Sequence, residues 1–263
     1  MNAIRAIVVR DFLVARSYRV ALVLDVLLGL LNLLLYYFIS RTFTDAAPAN
    51  LGGAPSYFAF AAVGIAMVTV INAAAVAVAA RIREEQLTGT LEATISQPVS
   101  VTGLAAGMTG LPFLTAVVRA ALYLLLAVIL LDLNFPNADW LGVILVLGMS
   151  GITLSCLGIA SAAMVMVVKR GDVVVGLGVF ALGLLSGAFF PISVLPDGLQ
   201  LVAEVMPPRF SFDGLRSALF DGSHWGNDLL VLALFALTLV PLSLWAFRAA
   251  IRFARRAGSI AEY

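Results

Sequence analysis

The chain has 263 residues, of which 62% are hydrophobic and only 12% charged, with a formal net charge of +1. Soluble domains sit nearer about 45–50% apolar and about 25% charged, and surface scales too steeply with mass for a water-soluble core of this size to absorb the excess, so lipid is the expected solvent. The near-neutral balance points to neither nucleic acid nor a strongly acidic partner, and the lone Cys156 excludes an intramolecular disulfide and reads as a small buried hydrophobe.

The first nineteen residues carry Arg5, Arg10, Arg16 and Arg19 and lead into a long apolar run with no small-residue cleavage site after it. This reads as an uncleaved cytoplasmic lead-in. Its Ile4, Ile7, Val8 and Ala15 gather on one side of a helix, with Asp11 intruding, which predicts an interfacial helix over 1–19 lying on the inner leaflet.

Crossing about 30 Å of hydrocarbon takes roughly 20 apolar residues. Six segments meet or approach that length: Val20–Ile39, Tyr57–Ala80, Leu104–Leu131, Trp140–Val168, Val173–Phe190 and Leu229–Phe247. Runs this long are expected to be helical, because a lone strand in lipid leaves its backbone groups unpaired. The fold class is therefore all-α, a single polytopic domain over 1–263. The third and fourth segments are long enough to tilt or project, and Pro112 is a candidate kink. Gly103-x-x-x-Gly107 and Gly183-x-x-x-Gly187 would let helix backbones approach, within the chain or across a dimer.

Twelve of the sixteen Lys and Arg lie in the lead-in, in Arg81 and Arg83, in Lys169 and Arg170, and in Arg248, Arg252, Arg255 and Arg256. These are alternate connections, so the positive-inside rule places both termini, the 81–103 segment and the 169–172 turn in the cytoplasm. The long connection from Pro191 to Asp228 is expected outside. In it Pro196-Asp197 starts a short helix through about Met206, Pro207-Pro208 ends it, and Ser211 caps a second helix that Gly222 closes. Its apolar content is too high for two solvated helices, and both are expected to be re-entrant, dipping into the outer leaflet.

Inventory excludes several chemistries. A phosphate-binding loop needs a lysine, and the only one, Lys169 in Val168-Lys169-Arg170-Gly171, has no such loop around it. His224 is the sole histidine, so neither a zinc site nor a serine triad is readily assembled, and enzymatic catalysis by this chain is not expected. Three polar positions fall within spans. Counted from the start of its own segment, Asp25 lies near the inner interface and Arg119 in the outer half, depths too different for a mutual ion pair. Arg119 either lines a translocation route or is structurally paired, for example with Glu204 or with free carbonyls of the outer helices. Asn72 reads as an interhelix hydrogen-bonding group or a route-lining one.

The stretch Arg81-Ile-Arg-Glu-Glu-Gln-Leu-Thr-Gly-Thr-Leu-Glu-Ala-Thr-Ile-Ser-Gln-Pro-Val-Ser100, joining spans two and three, resembles the ABC-2 type permease family, whose members show an E-x-x-x-G-T-L-E run followed by proline at this place. A second match follows span five: Ser186-Gly-Ala-Phe-Phe-Pro191, Leu195-Pro196, Pro207-Pro208, and Leu215-Arg216 with Gly222 behind. The resemblance implies an exporter in which two permease subunits, a homodimer or related heterodimer, assemble with two copies of an ATPase subunit. ATP and Mg would be bound by that partner and no cofactor by this chain.

By the same resemblance Gly89, Thr90, Leu91 and Glu92 form or flank a coupling helix seated on the ATPase. Glu84 and Glu85 lie nearby, and Pro98 sets where the chain returns to the membrane; the competing reading is a solvated loop whose charges only fix topology. Phe189, Phe190 and Pro191 would lie at the hinge of an extracellular gate, or serve as ordinary interfacial anchors. The G-T-L-E form looks more like drug, natural-product or lipid exporters than polysaccharide exporters. The rivals are a secondary transporter or channel without an ATPase, a membrane enzyme, and a non-transporting anchor subunit. The Arg-over-Lys and Ala/Val bias fits a GC-rich bacterium, and hence its plasma membrane.

Overall fold

Apolar runs too long for any strand become rods here. The computed structural model describes residues 19–42, 51–89, 101–168 and 171–257, and every regular element among them is helical. In chain order these are α1 (Arg19–Thr42), α2 (Tyr57–Leu87), α3 (Val101–Leu131), α4 (Trp140–Val167), α5 (Gly171–Leu185), a 3-10 turn (Ile192–Val194), α6 (Asp197–Glu204), α7 (Pro207–Arg216), a π turn (Ser217–Asp221) and α8 (Trp225–Ala257). Among the described residues five helices, α1 to α4 and α8, are long and apolar enough to cross a bilayer, and the chain is a multi-pass membrane protein. The interfacial helix expected in the lead-in lies outside the described residues.

α2 is the axis of the bundle. It runs 31 residues, about 46 Å at 1.5 Å per residue, and is buried along most of its length against α1, α3, α4 and α5. Its start is fixed by Ser56, whose hydroxyl accepts from the Ala59 amide at 3.1 Å. α8 packs along α4, and α7 lies across the starts of both and reaches α2. α1 turns Val23, Leu24, Leu28, Leu31 and Leu35 outward, as a helix whose surroundings are hydrocarbon does.

The boundaries differ from the sequence reading in physically interpretable ways. α2 continues past Ala80 to Leu87, because Arg81 and Glu85 pair at i,i+4 (3.8 Å) and an established helix extends at little cost. α5 is only 15 residues long, about 22 Å, and stops at Leu185 rather than Phe190. The chain turns at Ser186-Gly187, and Gly187 has φ +84°. Gly183-x-x-x-Gly187 is therefore not a helix face. In the 191–228 connection Pro207 and Pro208 open α7 instead of ending α6, and Ser211 sits inside the helix rather than capping it. Proline at the first helical positions gives up a donor that has no intrahelical acceptor anyway. Gly222 does close this unit, in the left-handed conformation at φ +64°, which only a residue without a Cβ adopts freely.

Candidate functional site

Two ends of α2 carry the sequence-predicted residues. At its far end, the foot, Glu84 is exposed, while Glu85 and Gln86 are buried. The helix is terminated by Thr88, whose amide and hydroxyl both donate to the Glu84 carbonyl at 2.9 and 2.8 Å. Gly89 follows at φ +70° with open space around its Cβ position. Thr90, Leu91, Glu92 and Pro98, the remainder of the expected coupling segment, lie outside the described residues.

At the near end a cap is assembled from residues 186–221, the start of α2 and the ends of α1 and α5. Its centre is Arg216, which is 0% exposed. One guanidinium nitrogen, Nη2, donates to the carbonyls of Phe60 (3.2 Å), Gly187 (2.9 Å) and Ala188 (3.2 Å). The guanidinium carbon lies 3.5 Å from the centroid of the Phe60 ring, a cation–π contact strengthened by the lack of water. Burial pulls the Arg216 guanidinium down to about 10, although the nearby Asp213 carboxylate holds it up, so it remains a cation at neutral pH. Nη1 lies 3.7 Å from Asp213 Oδ1, and burial pushes that carboxyl above its usual value against the pull of Arg216 and then Arg209.

Two of the carbonyls that hold Arg216, those of Gly187 and Ala188, are available because α5 ends in a turn. The last carbonyls of a helix have no intrahelical partner, and Gly187 and Ala188 follow directly on that end. The Ala188 carbonyl also rests against Gly64 of α2 so closely that a Cβ on Gly64 would collide with it. Around this centre the expected hinge residues are placed as follows. Phe189 is half-buried and stacks on Tyr36 of α1 at 5.4 Å and 12°. Its carbonyl accepts from the Tyr57 hydroxyl at 2.9 Å. Phe190 is half-buried and Pro191 buried. A further tie joins α4, α8 and the π turn: Asp139 caps α4, accepts from Trp225 Nε1 at 2.9 Å, and donates its amide to the Ala218 carbonyl at 2.8 Å.

Away from both ends, Arg119 of α3 and Asp25 of α1 form an ion pair, with Nη1 to Oδ2 at 2.9 Å. This corrects the depth argument made from sequence, which separated them, and it replaces Glu204 as the partner. Depth counted from each segment's own start presumes a common starting plane. Arg119 lies far along α3 and Asp25 near the start of α1, so the two helices are staggered. The pair is part exposed, 28% for Arg119 and 50% for Asp25, and Tyr123 donates to the Asp25 carbonyl at 3.0 Å. Asn72 is exposed and donates to Val68 O of its own helix at 2.9 Å, and among the described residues it makes no hydrogen bond to another helix. A mostly apolar cleft of about 310 Å³ opens between α3, α4 and α8, lined by Thr109, Phe113, Gly148, Cys156 and Ser243 among others. Its Thr109 and Ser243 hydroxyls are satisfied by carbonyls of their own helices.

Arg216 was visible in the sequence only as half of a Leu-Arg pair. The usable signal was its setting: Phe212, Leu215 and Leu219 surround it at helical spacing, which puts an arginine on the apolar stripe of α7. Among the described residues no group of His, Cys, Asp and Glu is arranged to hold a metal ion. The family model described as ABC-2 type transporter matches residues 2–220. No curated protein matches the sequence significantly.

Proposed function

The chain belongs to the ABC-2 type transporter family, and from that premise we propose that it is the membrane-spanning subunit of an exporter driven by a separate ATPase. Members of the family are membrane components of ABC transporters and are not themselves catalytic. On this reading the chain pairs with a second permease, the same or related, and two ATPase subunits bind and hydrolyse Mg-ATP for them. α5, extended by the turn after it, adds a span to the five long helices and is fifth of six in chain order. Both termini and the foot face the cytoplasm of a bacterial cell, and α6 and α7 form a re-entrant pair at the outer surface. The cargo is an amphipathic molecule of the drug, natural-product or lipid class.

The observation that carries the proposal is the uninterrupted α2. A 31-residue helix without proline joins Glu84, Glu85 and Gly89 at one end to the cap at the other. A rod of this kind turns a push at its foot into a displacement at its head, provided the ATPase grips the foot differently in its two nucleotide states. Leu91 and Glu92, four residues or fewer past the end of the Thr88–Gly89 cap, would supply the grip. Replacing both with alanine is expected to abolish co-purification of the ATPase, or its stimulation by the permease, while the permease still inserts and elutes as a folded species. Unchanged assembly and hydrolysis would rule the coupling segment out.

A further inference from the structure

We propose that Arg216 is a positioning residue for transport: it fastens the cap to the head of α2, so that cap and α2 move as one body when the foot moves. The inference rests on the exporter reading above and goes beyond it by assigning the mechanical link.

One side chain joins three separate pieces of chain. Arg216 belongs to α7, Phe60 to α2, and Gly187 and Ala188 to the exit from α5. The same crossing is closed sterically, because the Ala188 carbonyl occupies the space that a side chain at Gly64 would take. Tyr57, one turn from Phe60, adds a second tie through the Phe189 carbonyl. From Phe60 to Glu84 the helix runs about 36 Å, with no proline in it, so displacement at the foot has no break at which to dissipate.

The choice of arginine is hard to explain by stability alone. Its Nε and Nη1 are buried with no hydrogen-bond partner, and desolvating a guanidinium on those terms is costly compared with an apolar side chain of similar volume. Leucine or methionine would fill the space. Neither would supply hydrogen bonds to two other chain segments, as the single nitrogen Nη2 does from a rigid guanidinium plane. A side chain that is expensive to bury and connects three segments is suited to keeping them in register during motion.

The test uses the permease assembled with its ATPase in lipid nanodiscs, with Cys156→Ala removing the native thiol and Ser193→Cys placing one on the exposed 3-10 turn of the cap. The rate of maleimide labelling is compared between nucleotide-free and vanadate-trapped complexes. With Arg216 present the two rates are expected to differ by about fivefold or more, and with Arg216→Met the ratio is expected to fall to about one while ATP hydrolysis stays within about twofold. Arg216→Lys, which keeps the charge but not the planar fork, is expected to lower the ratio part-way, and it serves as the test if the Met variant does not assemble. A native ratio in whichever variant assembles overturns the proposal. If the complex hydrolyses ATP but the parent ratio is already one, the link is overturned and the exporter reading stands. If no ATPase assembles with the native chain, the exporter reading itself fails.

Discussion

The cap and the α1–α3 seam each take an arginine out of bulk water, and they accommodate it in opposite ways. In the cap Arg216 is fully buried and held by main-chain carbonyls and a phenyl face. In the seam Arg119 is part exposed and held by a carboxylate, with its Nε buried and unpaired. Carbonyl dipoles are fixed by the fold, so the cap depends on backbone placement and hardly on the charge of any neighbour. A carboxylate is a charge on a movable arm, so the seam depends on both partners being ionised and little on where the backbones lie. The cap is therefore suited to being a rigid joint, and the seam to holding two staggered helices together in lipid.

The largest effect expected from this contrast follows Gly64→Val. The added side chain meets the Ala188 main chain, which has no free end to swing away. A loss upwards of about 3 kcal/mol is expected, seen as a fall in thermal stability by fluorescence-detected size exclusion. Native-like stability would mean that the cap and α2 are not in contact, and the contrast would dissolve.

A smaller effect sharpens the other side of the comparison. Arg119→Leu alone leaves the Asp25 charge without its partner and is expected to cost about 2 kcal/mol, less than for a fully buried pair because Asp25 is half exposed. Replacing both Arg119 and Asp25 with leucine should recover most of that loss, with a coupling energy of about 2 kcal/mol in the double-mutant cycle. Strictly additive losses would show that the pair does not interact in the membrane. No double apolar replacement has an equivalent in the cap, where the acceptors are backbone.

The smallest effect concerns Asp213, whose carboxylate lies 3.7 Å from Arg216. Its carboxyl is raised in the folded protein by burial, so the folded state holds that proton more tightly than the unfolded chain does. The resulting stability is fully present below the ordinary carboxylate range and is lost as pH rises through the raised value. Asp213→Asn should flatten that part of the pH–stability curve and leave the neutral-pH cap assembled. A curve unchanged in shape would place the titrating group elsewhere.

Much of this protein was legible one residue at a time. Composition demanded lipid, and apolar run length separated the rods. Pro196, Pro207-Pro208 and Gly222 marked the breaks in the 191–228 connection, although the double proline begins a helix there instead of ending one. The E-x-x-x-G-T-L-E and Phe-Phe-Pro stretches pointed to the family that the match over residues 2–220 establishes. The depths of Asp25 and Arg119 were misjudged because local counting was extended across the bundle, and α5 was read too long because its turn at Ser186-Gly187 is itself apolar on both sides.

The sequence alone determined which segments prefer lipid to water, because hydropathy is a property of a few adjacent residues. Only the tertiary structure decided that Arg216 would be fully enclosed, that Gly64 would face a carbonyl, and that Asp25 would meet Arg119. Those outcomes depend on how far one rod is slid and tilted against the next, and that is set by packing among residues far apart in the chain.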